Sequence, residues 1–60
     1  MWTHVYFIGK ELLPNCSYES PFPFIPDYDH IIDIDSSHYS IDHVIINPQL
    51  KNIKIVIDKI

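Results

Sequence analysis

The sequence holds one cysteine, one glycine, one methionine and no arginine, and each scarcity removes a class of protein. A lone thiol, Cys16, cannot close an intrachain disulfide. Small disulfide-stapled secreted scaffolds are thereby excluded, and a reducing, intracellular setting fits. Zinc ordinarily takes four protein ligands at spacings such as Cys-x-x-Cys, so any site here has to be built from histidines and carboxylates. Four lysines against eight acids leave a formal charge of −4. That balance makes no basic surface, so neither direct nucleic-acid binding nor attachment to an anionic membrane is expected. Long apolar runs are also missing. The stretch from Trp2 to Ile8 is too short for a membrane span and has no basic flank of a signal peptide, so the protein is expected to be soluble and cytoplasmic in its host cell.

With sixty residues the chain reads as one domain, 1–60, near the lower size at which buried surface offsets conformational entropy. Lacking a disulfide or a zinc cluster, it has self-association as its natural supplement, so a homo-oligomer is among the expected states.

What the chain does have is alternation. Asp29–Asp35, Tyr39–Ile46 and Asn52–Ile60 carry Ile and Val at recurring second positions, the period of a half-buried strand. Trp2–Lys10 alternates as well, with Trp2, His4, Tyr6 and Ile8 on one face and Thr3, Val5 and Phe7 on the other. Both faces are largely apolar, which predicts a central or covered strand. Gly9 is expected to end it or admit a bulge, and Pro14-Asn15 to mark a turn. Tyr39 and Ile41 share a parity that Val44 and Ile46 do not. Keeping all four in the core requires a one-residue slip, a β-bulge, near Asp42 or His43. The segments Asp35–His38 and Asn47–Asn52 supply turns. The expected fold is all-β: an antiparallel meander of about four strands, forming a small strongly bent sheet or SH3-like barrel with a long proline- and aromatic-rich loop after the first strand.

In that loop Pro14, Pro21, Pro23 and Pro26 exclude a helix. Ser20–Pro26 should run extended, near polyproline II, with Phe22 and Phe24 on alternate residues. One reading has Phe22, Phe24 or Ile25 plugging an open end of the sheet. The other has Tyr18, Phe22, Phe24 and Tyr28 forming an exposed aromatic patch for a partner, flanked by Glu19 and Asp27 for electrostatic steering.

From Ile25-Pro26 onward, the residues Asp29-His30-Ile31 with Ile34, then Tyr39-Ser40-Ile41, Val44 and the strand Ile53–Ile57, resemble products of short open reading frames common in bacteriophages. Those pass from an apolar N-terminal strand to a proline, a Gly-Asp pair, a strand, a Tyr-x-Val element and a final strand. Tyr28 stands where that pattern has its glycine. The resemblance covers about half the chain and implies a phage or mobile-element origin, with no particular activity attached.

Chemically able groups are histidines and carboxylates. His30, Asp33, Asp35, His38, Asp42 and His43 lie close in sequence, yet outward-facing polar residues on strands are ordinarily there for solubility and to discourage edge pairing. No metal site or cofactor is therefore assigned. No nucleophile and base fall in a motif, and so small a chain can hardly wall off a substrate pocket, so no catalytic residue is assigned and the protein is expected not to be an enzyme. A non-enzymatic binding protein that inhibits or modulates a host macromolecule, of the anti-defence or host-takeover type, is the leading expectation, with a host protein as partner. A homo-oligomer sequestering a small ligand or nucleotide is the alternative, using Trp2, Tyr6, Tyr39 and Lys54 for stacking and phosphate contact. An acidic DNA mimic is the third, with Glu19, Asp27, Asp29, Asp33 and Asp35 along one edge.

Overall fold

A computed structural model describes residues 1–60. The chain forms five strands: β1 (Trp2–Ile8), β2 (Glu11–Ser20), β3 (Ile32–Ile34), β4 (Ser37–Asn47) and β5 (Asn52–Lys59). They make one sheet in the order β2-β1-β5-β4-β3, strongly curled into a half-barrel. No helix long and apolar enough to cross a membrane is present.

The last three strands form the expected antiparallel meander. β5 lies at the centre because Ile53, Ile55 and Ile57 are fully buried, and Ile41 joins them from β4. The slip in β4 is where parity demanded it. Ile41 pairs with Ile57 and Val44 with Ile55, the register breaking between Ile41 and His43. That break turns Ile41 and Val44 to the same face and increases the local twist, which helps the sheet curl. Ile46 pairs with Ile53 but is left 47% exposed one step before the turn.

The first half of the chain differs from expectation in strand count and direction. Five strands form rather than four, because Glu11–Ser20 pairs along β1 as a further edge strand. Pro14 does not end it. Between the pairs Tyr6–Leu13 and His4–Tyr18, Val5 alone on β1 faces Pro14 to Ser17 on β2, a bulge of four residues against one. An edge strand and a bulge are both settings in which a residue without an N–H costs no ladder bond. The turn instead falls at Gly9-Lys10, between the paired Ile8 and Glu11, with Gly9 at φ +59°. Glycine at the first position of a two-residue hairpin loop is what a type II′ turn requires. β1 then lies parallel to β5, Tyr6 beside Ile55 and Ile8 beside Ile57, so the sheet is mixed rather than wholly antiparallel.

This order leaves β2 and β3 on opposite edges, and the connection between them, Pro21–Ile31, must cross the sheet. Four inter-strand steps of about 4.8 Å make a span of roughly 19 Å, well inside the ~36 Å reach of eleven extended residues. The long loop thus follows the second strand, and it exists because the chain changes edges there. Residues 29–31, expected to begin a strand, are held in this connection. Asp27 accepts the His30 N–H on its carbonyl and the Asp29 N–H on its side chain, at 3.0 and 3.1 Å.

Candidate functional site

The crossing loop is fixed at its backbone and exposed at its side chains. His4, on the core-facing parity of β1, is fully buried. Its Nε2–H donates to the carbonyl of Phe24 at 3.0 Å, tying the middle of the loop to the sheet. That assignment makes Nδ1 the bare ring nitrogen, and Nδ1 is buried without a partner. Tyr18 on β2 stacks flat on the His4 ring, with centroids 4.4 Å apart and planes within 1°. The start of the loop is held by the buried Ser20, whose hydroxyl oxygen accepts the Phe22 N–H at 3.3 Å. Three prolines, Pro21, Pro23 and Pro26, restrict the intervening backbone further.

The side chains point elsewhere. Phe22 is 62% exposed, Phe24 56%, Tyr28 56% and Tyr18 43%, and Ile25 and Ile31 are similarly open. Six of the twelve large exposed hydrophobics of the protein lie between Tyr18 and Ile31, and no buried one does. The loop does not plug the core with Phe22, Phe24 or Ile25. Phe22 and Phe24 meet edge to face at 6.0 Å, a favoured aromatic arrangement. Tyr28 projects from the turn closed by Asp27 and His30. Glu19 and Asp27 are exposed at either end of the stretch, and Glu19 sits opposite Thr3 in the ladder.

The alternative ligand set is divided between two faces. Trp2, Tyr6 and Tyr39 pack against the isoleucine core. Lys54 has the opposite parity on β5 and lies over the Phe7 ring, 5.9 Å from its centroid. Burial, with the charges of ionised Tyr18 and Cys16 as smaller contributions, raises the Tyr6 hydroxyl above its ordinary pKa of 10.0. Among the histidines and carboxylates, His38 approaches Asp33 at 3.9 Å across the β3–β4 hairpin. His43 Nδ1–H donates to the neighbouring Asp42 carboxylate at 3.0 Å. No three such groups gather where a metal ion could be held. Glu19, Asp27, Asp29, Asp33 and Asp35 are all exposed.

Sequence reasoning singled out the aromatic loop but missed His4 as its anchor. The available signal was a lone imidazole in the Trp2, His4, Tyr6, Ile8 row of an otherwise apolar face. No protein-family model, curated protein or solved structure matches the chain.

Proposed function

We propose that the protein is a non-enzymatic binding module whose contact surface is the crossing loop, with Tyr18, Phe22, Phe24 and Tyr28 as anchors and Glu19 and Asp27 at the rim. The observation that supports this most is the combination of a pinned backbone with open aromatic side chains. Contiguous exposed apolar surface on a small protein ordinarily marks an interaction site. Aromatic residues dominate the energetics of such sites. Fixing the backbone beforehand reduces the ordering entropy lost on association. The rim carboxylates favour a partner surface of positive potential and speed encounter with it.

The partner in this reading is a host protein, and the resemblance to short phage reading frames supports a phage or mobile-element product that inhibits or modulates it in the host cytoplasm. The SH3-like character belongs to the same reading, resting on the curled sheet and its bulge. The test is capture of host proteins by the immobilised chain beside the Phe22→Ala/Phe24→Ala double variant. Because both rings are more than half exposed, the variant should keep its circular-dichroism spectrum and lose the captured band. A variant that captures as well as the parent would overturn the assignment.

A further inference from the structure

The sheet face opposite the isoleucine core carries a second feature, independent of the loop. Phe7, Val56 and His43 stand in one row across β1, β5 and β4, and Lys54 and Ile45 form the next. With Gly9 and Lys10 from the β1–β2 turn, these residues line a shallow hollow of about 390 Å³. Ligand clefts begin at about 300 Å³.

Its chemistry is the reverse of the rest of the molecule. Of four lysines in a chain of charge −4, two face this hollow, so the remainder carries two lysines against eight acids, or −6. The floor is apolar, from Phe7, Val56 and the half-exposed Ile45. Of the acids, Asp42 accepts the His43 Nδ1–H, Asp58 stands two positions beyond Val56 on the same parity of β5, and Glu11 follows Lys10 in the chain but pairs with Ile8, on the other parity of β1. Asp42 turns His43 so that Nε2 is the free ring nitrogen. Gly9, in the left-handed region, has no atom within 4 Å of where a Cβ would stand, so the rim there is open.

We infer that this hollow binds a small anion carrying an apolar body, an aryl or alkyl phosphate or carboxylate. The body lies on Ile45 and Val56 beside the Phe7 ring, over which Lys54 Nζ stands 5.9 Å from the centroid, and the anionic group lies between Lys10 and Lys54. Neither half of such a ligand suffices alone, since exposed ion pairs are individually weak and the apolar floor is small.

The test is an amide-resonance titration of the ¹⁵N-labelled full chain with phenyl phosphate and with phenylacetate, and with benzyl alcohol and inorganic phosphate as half-ligands. Saturable shifts are expected for at least one of the two aryl anions at Phe7–Lys10, His43–Ile45 and Lys54–Val56, about tenfold tighter than for either half-ligand. The tighter of the two anions identifies the headgroup as phosphate or carboxylate. Lys10→Gln/Lys54→Gln should weaken binding about tenfold, with the other resonances unmoved. Phe22→Ala/Phe24→Ala should leave it unchanged, which separates this site from the loop. Absence of saturable shifts, equal binding of benzyl alcohol, or the same shifts on raising protein concentration without ligand would overturn the inference, the last by showing a second copy on this face.

Discussion

Two side chains of β1 carry most of the local chemistry. His4 gives its one N–H to the Phe24 carbonyl and leaves Nδ1 unpaired in the interior. A buried hydrogen bond contributes about 1 kcal/mol net, and an unsatisfied buried polar group costs a comparable amount. His4→Phe removes both while keeping a ring beneath Tyr18, and the Phe24 carbonyl that loses its donor belongs to an exposed loop residue that water can reach, so global stability should change little. The loop should be released: ¹⁵N relaxation of residues 21–31 should show larger fast motions, and capture of the partner should weaken although every contact side chain is retained. Unchanged relaxation would mean that the prolines alone hold the loop. Tyr6 gives a pH prediction. Its folded-state pKa lies above the unfolded one, so the folded chain keeps this proton to higher pH. The resulting stability is fully present below pH 10.0, declines as pH rises from there through the folded-state value, and is flat beyond it. Urea midpoints from neutral pH into that window should fall less steeply for Tyr6→Phe than for the parent.

At the scale of elements, the hairpins show where the sequence departs from what its turns prefer. Asp35 and Ser36 form a two-residue loop between the paired Ile34 and Ser37, with φ of 50° and 66°. Positive φ at both positions is the type I′ pattern, for which Asn-Gly is the favoured pair. Ser has a Cβ where glycine has none and pays for it at about 1 kcal/mol or somewhat more. Asp35→Asn/Ser36→Gly should raise stability by about 1 kcal/mol, a melting-temperature gain of about 4–8 °C in a domain of this size. A lower melting temperature would show that the loop is not of this type. Lys51, at φ 52°, sits in a longer turn where Asn47 compensates by accepting the Gln49 and Leu50 N–H groups at 3.1 Å each. The two edge strands are each poor templates for further pairing. β2 is interrupted by its bulge and Pro14, and β3 is three residues long, devices that discourage edge-to-edge association.

For the whole molecule, the core is small. Only seven residues are buried, five of them hydrophobic, so each one matters. Global stability of a chain this size is roughly 3–9 kcal/mol at ordinary per-residue values, and removing a fully buried isoleucine side chain costs about 2–5 kcal/mol. Ile55→Ala should therefore take away a large share of the stability, lowering the melting temperature by about 8–40 °C at about 4–8 °C per kcal/mol. Ile46→Ala, on the same face but half-exposed, should stay folded, and thermal melts of the two variants check the contrast.

β4 and β5, their facing and the bulge near Asp42 were legible in the sequence because side-chain parity is a local property, whereas of the strand expected over Asp29–Asp35 only Ile32–Ile34 forms. Tyr39, Ile41 and Val44 can share one face in no other way. The aromatic character of the loop was legible, but its extended run was not: Phe22 accepts the Phe24 N–H on its carbonyl at 3.0 Å, a three-residue turn around Pro23 inside the stretch expected to be polyproline II. What tertiary structure alone decided is the pairing. Nothing local in Glu11–Ser20 shows that it will lie along β1, or that β1 will run parallel to β5, because those contacts join residues far apart in the chain. That pairing put β2 and β3 on opposite edges, sent Pro21–Ile31 across the sheet and placed Phe24 against His4. Whether Phe22 and Phe24 were core or surface followed from that path, and alternation carries no information about it.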